Sequence, residues 1–337
     1  MIYAIAGLPS RFSEWCETVL AALVSASGAN ADLLVADSLA MLGEQLLARD
    51  SLTAVIVTRQ PLRSLCDALL ATPRPPMVVL DEPDHAVSAL IADYGLSYAE
   101  ATRRVANALT ALIPLIRDER VLVLRGASAA APEQSLRSIA AHFALSVDDS
   151  AVAQILHDHP PRPTAVAVPE PYAMTPLSGF GSLSMPSCDL ALQPLWQHLR
   201  DGTALDILWS PHLFFRPDKE DVCAPIALTG RGRSLVYGPY IRLPEGPWSC
   251  RVAFASSADA ADTQMLAEIY GGEVLNSARF VLHGEGDFEM EFGFVNPDSD
   301  TALELRLFTA AASFDGSFVL EQVRLTALSA PRITVQS

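Results

Sequence analysis

The sequence predicts an α/β domain followed by an all-β domain: a doubly wound, mainly parallel sheet, then an antiparallel β-sandwich of jelly-roll type. Three observations carry this. Residues 1–155 alternate short apolar runs with segments of helical period. Residues 157–176 (H-D-H-P-P-R-P-T-A-V-A-V-P-E-P-Y-A-M-T-P) are dense in proline. From Pro225 onward, period-two strands alternate with Gly- and Pro-containing turns. A chain of 337 residues accommodates two such domains. The expected organisation is an α/β domain over 1–156, a stiff linker over 157–176, a connecting region over 177–224 and a sandwich over 225–328.

Each element has a local reason. Residues 2–6 are a compact apolar strand running into Gly7-Leu8-Pro9, and residues 13–26 place Trp15, Val19, Leu20, Leu23 and Val24 on one side of a helix. Strands are expected at 33–36, at 53–58 (T-A-V-I-V-T) and at 121–124, with 77–80 read as another strand or as a bridge into 86–91. Helices are expected at 39–48, 62–70, 98–117 and 132–143, the last with Pro132 at its start. Because helices form the crossovers, the strands should be parallel. In the second half, strands are expected at 234–243, 248–255, 264–270, 278–282, 288–295, 302–308 and 317–325. The run from Phe288 is the cleanest, with Phe288, Met290, Phe292 and Phe294 alternating against Glu289, Glu291 and Gly293. Phe254, Phe280, Phe288, Phe292, Phe294 and Phe308 are assigned to the core.

Composition excludes several classes. With 23 basic and 39 acidic residues, the net charge is 23 − 39 = −16 and the pI is about 4.7. Such a surface repels nucleic acid and anionic membranes. Mean hydropathy is +0.26, yet no apolar run approaches the ~20 residues a membrane span needs. The start, M-I-Y-A-I-A-G-L-P, lacks the basic region of a secretory signal. Cys16, Cys66, Cys188, Cys223 and Cys250 are scattered without a C-x-x-C pair, so neither a disulfide frame nor a zinc site is expected. These features predict a soluble, cytoplasmic protein with no metal.

The loop after the first strand is G-L-P-S-R-F-S-E-W (residues 7–15). A strand–loop–helix start of this kind offers backbone N–H groups and a helix dipole to an anion. It lacks the G-x-x-x-x-G-K-[ST] pattern, and the single lysine of the chain is Lys219, which excludes an ordinary ATPase or GTPase. The loop resembles the 5′-phosphosulfate loop of sulfotransferases, G-L-P-R-S-G-T-T-W, matching at Gly7, Leu8, Pro9 and Trp15. The Arg-Ser pair is inverted as Ser10-Arg11, Phe12 replaces a glycine, Ser13 stands at the first threonine and Glu14 at the second. Residues 54–66 (A-V-I-V-T-R-Q-P-L-R-S-L-C) are similar to the family's strand–R-D-P-R–helix segment, which implies 3′-phosphate contacts for Arg59 and Ser64, with Gln60 in place of the aspartate. Residues 121–145 resemble a third family segment through Pro132, Glu133, Leu136, Arg137, Ile139, Ala140 and Phe143, without its Y-E-D-L acids.

The resemblance thus implies a sulfotransferase-like fold over about the first 150 residues. It places Gly7, Ser10, Arg11, Ser13, Arg59 and Ser64 around 3′-phosphoadenosine-5′-phosphosulfate, if donor binding survives. Phe12 puts bulk where backbone should hug a phosphate, and Glu14 puts a carboxylate against an anionic donor while favouring the bare helix dipole. The expected state is a loop that no longer takes the donor, with no cofactor; an active enzyme using that co-substrate is the alternative. No catalytic base emerges. His85, after the acidic turn 81–84, and His142 are expected at the surface, and His157-Asp158-His159 reads as linker. The acids Asp259, Asp262, Asp298, Asp300 and Asp315 read as solvated turns.

Residues 235–254 (L-V-Y-G-P-Y-I-R-L-P-E-G-P-W-S-C-R-V-A-F) resemble Y-G-P-Y-x-x-L-P-x-G-x-Y/W modules of bacterial glycosyltransferases and other polysaccharide-related proteins. That resemblance implies a carbohydrate-binding-like sandwich over 225–328. Tyr237, Tyr240 and Trp248 are candidates to stack on a pyranose, with Arg242 and Glu245 taking hydroxyls, and core packing is the alternative for the three rings. Three readings follow. The first is a non-catalytic binding or assembly protein of bacterial polysaccharide biosynthesis, whose partner is a glycan or a synthesis protein. The second is an active sulfotransferase with a glycan acceptor, and the third a protein–protein scaffold.

Overall fold

The computed structural model describes residues 1–49, 52–126, 131–161 and 187–328, without the side chains of 187–189. Of the expected linker, residues 162–176 lie outside the described residues. The chain divides into two compact units, Met1–Val168 and Pro169–Ser337.

The first unit is a five-stranded parallel sheet with helices on both faces. Its elements in order are β1 (Ile2–Gly7), α1 (Arg11–Ala26), β2 (Asp32–Val35), α2 (Leu39–Leu47), β3 (Ala54–Thr58), α3 (Arg63–Leu70), β4 (Met77–Leu80), α4 (Pro83–Tyr94), α5 (Tyr98–Ile116), β5 (Leu122–Arg125), α6 (Pro132–His142) and α7 (Asp149–Asp158). The strand order is β2-β3-β1-β4-β5. Every residue of β3 and β4 is buried, as expected of parallel strands covered on both sides. On one face, Trp15, Val19, Leu20 and Leu23 of α1, with Leu136, Ile139 and Phe143 beyond them, pack on Tyr3, Ile5, Val55, Val57 and Val79. On the other, Leu42, Leu65 and Leu69 pack on Ala4, Leu34 and Ile56. Each fully buried aliphatic side chain of this kind stabilises the fold by ~1.5–3 kcal/mol.

Helix starts follow their caps. Ser10, Ser38, Ser97 and Asp148 each accept a backbone N–H from the first turn, a contact worth ~0.5–2 kcal/mol. Ser10 moves the start of α1 to Arg11, two residues ahead of the period read from sequence. The α7 helix was not expected; Asp148 supplies its cap and Val152 and Ile155 its buried side. It takes in His157 and Asp158 of the expected linker, where Asp158 accepts from Gln154. The acidic turn 81–84 also differs from expectation. Asp81 is 1% exposed, because its Oδ1 accepts the Glu82 N–H at 2.9 Å and lies 2.9 Å from His85 Nδ1.

The second unit is an antiparallel two-sheet sandwich. Its elements are α8 (Ser187–Asp201), β6 (Asp206–Trp209), β7 (Ile226–Ala227), β8 (Ser234–Arg242), β9 (Gly246–Ser256), β10 (Gln264–Tyr270), β11 (Val274–Val281), β12 (Gly286–Asn296), β13 (Ala302–Thr309) and β14 (Ser317–Ala327). One sheet has the order β11-β10-β13-β8, the other β12-β9-β14-β6 with β7 also on β14. Thus β6, in the segment read as a connecting region, is a strand of the second sheet.

Trp209, Trp248, Phe254, Phe318, Ile269, Leu305 and Leu325 are buried. Phe294 is buried as expected, but Phe280, Phe288 and Phe292 are only half-buried, since β11 and β12 are the outermost strands of their sheets. Phe308 is half-buried and stands on the opposite side of β13 from the buried row Leu303, Leu305 and Leu307. Period-two alternation therefore assigns it to the outer face.

Candidate functional site

Among the described residues, most of the expected site residues fall at one place in each unit. In the first unit, β1 feeds α1 on one face while β3 and β4 feed helices on the other, so the strand ends around β1 form the switch point where such folds bind ligands. The loop there is closely packed. A Cβ at Gly7 would lie 2.7 Å from Ser13 Oγ and 3.2 Å from the Val79 carbonyl, so only glycine lets the loop approach β4 and α1. Leu8 and Ser13 are fully buried. The Ser13 N–H donates to Ser10 Oγ at 3.2 Å, and Phe12 is buried against Trp15.

Arg11 and Arg59, the cations expected at this crevice, are paired within the unit. Arg11 grips Asp93 through two hydrogen bonds of 2.8 and 2.7 Å. Arg59 pairs with Glu17. Burial pushes the Glu17 carboxyl above its ordinary range, and Arg59 draws it back down. Glu14 accepts the Tyr94 hydroxyl at 3.0 Å. The turn after β3, where the resemblance places a 3′-phosphate, holds the Asp37 carboxylate instead. Its Oδ1 accepts from Thr58 Oγ1 at 2.6 Å and from the N–H groups of Arg59 and Gln60 at 2.8 and 2.9 Å. Ser64 is exposed. Gly7, Ser10, Arg11 and Ser13 thus gather at one loop, but the anion partners present are the protein's own carboxylates. Cys16 is buried, which raises its thiol far above the ordinary range and makes it a poor nucleophile.

In the second unit, the outer face of the β11-β10-β13-β8 sheet carries a cross-strand patch. Tyr237 stands opposite Arg306, and Arg306 opposite Glu268. In the next row, Glu304 stands opposite Pro239 and Tyr270. Phe215 extends the first row, exchanging backbone hydrogen bonds of 2.8 and 3.0 Å with Tyr237. Its ring stacks on Tyr237 at 5.6 Å and lies 5.9 Å from Tyr240. A Cβ at Gly238 would come 3.2 Å from the Phe215 ring, so this glycine leaves room for it.

Tyr240 is the bulged residue of β8: Ile241 pairs with Leu303 and Pro239 with Glu304, and Tyr240 falls between them. Its φ of 65° lies in the left-handed region, a cost of ~1–3 kcal/mol for a tyrosine. The bulge leaves the side chain 40% exposed. Burial and the neighbouring Glu304 carboxylate push the hydroxyl up to about 12, so it remains a proton donor. Glu304 is 5% exposed and is held by Arg306, whose guanidinium lies 3.5 Å over the Tyr270 ring.

Of the residues expected here, Tyr237 and Tyr240 lie together, and Arg242, half-buried, ends the same strand. Trp248 does not join them. It is 1% exposed and its indole N–H donates to the Pro244 carbonyl at 3.1 Å, so it packs in the core. Phe215, Tyr270, Glu304 and Arg306 were not singled out from sequence. The buried Leu303, Leu305 and Leu307 are the signal that sets Glu304 and Arg306 on one outward row.

No protein-family model matches the sequence, and no curated protein does. Among solved structures, a mouse sulfotransferase complexed with PAP is similar at 14% identity, covering 47% of this chain and 63% of its own, with a TM-score of 0.34. The CBM36-1 domain of a xylanase from the hindgut metagenome of Trinervitermes trinervoides is similar at 14% identity, covering 37% of this chain and 98% of its own, with a TM-score of 0.27. TmCBM61 in complex with β-1,4-galactotriose is similar at 10% identity over 36% of this chain and 88% of its own, with a TM-score of 0.25. The two-part resemblance of the sequence, to sulfotransferases and to carbohydrate-binding modules, thus recurs among these structures. No helix among the described residues is long and apolar enough to cross a membrane.

Proposed function

We propose that this chain is a non-catalytic glycan-binding protein of bacterial polysaccharide biosynthesis, acting in the cytoplasm. In this reading its sandwich takes the saccharide and its α/β unit is a sulfotransferase-like domain that no longer takes a donor. The observation that carries the reading is the patch of Tyr237, Tyr240 and Phe215 beside Glu304 and Arg306. An aromatic face accepts the C–H side of a pyranose, and the Arg306 guanidinium, oriented by the buried Glu304 carboxylate, donates to its hydroxyls. A strained, half-exposed Tyr240 fits a residue placed for contact, because a packing role would bury it. The internal pairing of Arg11, Arg59 and Asp37 supports the absence of donor binding.

A glycan array tests the saccharide reading. The wild type should bind a restricted set of glycans. A Tyr237→Ala, Tyr240→Ala double variant with an unchanged melting temperature should lose those signals. Silence of the wild type across acidic, neutral and amino-sugar glycans contradicts the reading and favours a protein scaffold.

A further inference from the structure

The segment between β6 and β7 folds two of its parts onto one point. A single 3₁₀ turn, Pro211–Leu213, follows β6, and Leu213 and Phe214 anchor it in the core. The chain then runs out and returns to Val222, which is buried again. Arg216, 5% exposed, clamps the excursion: it donates to Asp218 at 3.0 and 2.6 Å, to Glu220 at 3.0 Å and to the Asp221 carbonyl at 3.1 Å. The Asp221 side chain is fixed in turn by the Cys223 N–H at 3.0 Å. The result brings His212, Asp221 and Cys223 together, each with a ligand atom within 4.8 Å of the others. Cys223 Sγ lies 3.3 Å from His212 Nδ1 and 3.6 Å from Nε2.

We infer that His212, Asp221 and Cys223 form a binding site for a borderline-soft divalent cation, zinc being the best match, with a fourth position open to water or another ligand. The donor set is one sulfur, one imidazole nitrogen and one carboxylate oxygen, which selects zinc over calcium or magnesium. A tetrahedral ion ~2.3 Å from sulfur and ~2.0–2.1 Å from nitrogen holds those two atoms about 3.6 Å apart. Cys223 Sγ, 3.3 and 3.6 Å from the two nitrogens, stands over the imidazole ring, so a turn of the His212 side chain would aim one nitrogen at the ion beside the sulfur.

The competing use of a Cys-His-Asp trio is a nucleophile with its base, and the arrangement argues against it. In that machinery the acid orients the imidazole from the side away from the nucleophile, whereas here Asp221 binds the Cys223 backbone and converges on the thiol. A bound cation displaces the thiol proton to solvent and neutralises the Asp221 charge. The ion would also pin the segment carrying Phe215, three residues from His212, against Tyr237. This site stands on its own observations and does not depend on the saccharide reading.

Cobalt(II) is the probe, because a thiolate–cobalt bond gives a charge-transfer band that oxygen and nitrogen ligands do not. The full chain, stripped with a chelator, should take up one equivalent of cobalt with that band. Zinc should displace it, and the melting temperature should rise with either metal. Cys223→Ser should abolish the band, and His212→Ala should weaken cobalt binding by at least ~100-fold, beyond what outer-shell changes cause. Asp221→Asn, at an exposed position, should weaken it by at least about tenfold. Metal-free melting temperatures of the variants report whether they fold. A well-folded wild type that shows no band at millimolar cobalt, or a band that survives Cys223→Ser, overturns the inference.

Discussion

The two units hold the same kinds of side chain and use them in opposite ways. Around the end of β1, each cation named by the family resemblance meets a carboxylate of its own unit: Arg11 meets Asp93 and Arg59 meets Glu17. The backbone donors after β3 are likewise taken by Asp37. On the sandwich face, Arg306 and Glu304 also pair, but they do so beside rings that remain half-exposed. A crevice satisfied from within must lose several charge-assisted hydrogen bonds before it can take an anion. A patch of exposed aromatic area gains by being covered. Site chemistry therefore depends less on which residues are present than on what already satisfies them.

Perturbations that sharpen this contrast differ in size. The largest falls on Trp248, whose removal from the sandwich core should cost ~3–5 kcal/mol, as for other buried aromatics cut to alanine. Urea unfolding measures this directly; a loss below 1 kcal/mol would place the indole outside the core. Next is Arg59→Ala, which leaves the largely buried Glu17 carboxylate without its partner and should cost ~1–3 kcal/mol at neutral pH.

The pH dependence of that variant carries a definite sign. Burial raises the folded-state value of Glu17 above its unfolded one, and loss of Arg59 raises it further. Stability tied to Glu17 is then fully present below the ordinary carboxylate range and is lost as pH rises through the raised value. The deficit of Arg59→Ala should therefore shrink on acidification, as followed by thermal melts from pH 4 to 8. A deficit that grows on acidification contradicts this burial.

On the sandwich face, the Tyr237→Ala, Tyr240→Ala double variant should lose tenfold or more in glycan affinity, ~1.4 kcal/mol, measured by calorimetry on a glycan that the wild type binds. The smallest effect belongs to Asp206→Asn. Hydrogen bonds from Arg324 hold the Asp206 carboxyl below its ordinary range, so its stability contribution is present above the unfolded value and is lost as pH falls through the depressed one. Asparagine should remove ~0.2–1 kcal/mol at neutral pH, the usual worth of a half-exposed pair, and less at pH 2. An equal loss at both pH values would mean that the ion pair is not its source.

Much of the fold was legible because it follows from periodicity and local caps. The buried run of β3 reads directly as a strand, and β10 falls at the residues expected. Where reading failed, the deciding partner was distant. The span 206–209 is too short to declare itself, and it becomes β6 only because β14 pairs with it through Leu325 and Ile207. Phe308 looked like core by residue type, but the flanking leucines took that side of β13.

The candidate sites divide in the same way. Tyr237 and Tyr240 were marked by a local motif, whereas Trp248 of that motif turned inward because its N–H is satisfied by the Pro244 carbonyl. Asp37, Asp93 and Glu17 could not be marked, since each acquires meaning only from a cation or turn that folding brings beside it. His212 and Cys223 are eleven residues apart without a recognisable spacing, so their meeting is set by the Arg216 clamp.

The central claim is that the crevice beside β1 satisfies its own charges and takes no adenosine phosphosulfate. Calorimetric titration of the full chain with 3′-phosphoadenosine-5′-phosphate tests it most directly. The account predicts no heat of binding at millimolar nucleotide. A saturable isotherm in the micromolar range, lost in Arg11→Ala or Arg59→Ala, would contradict it.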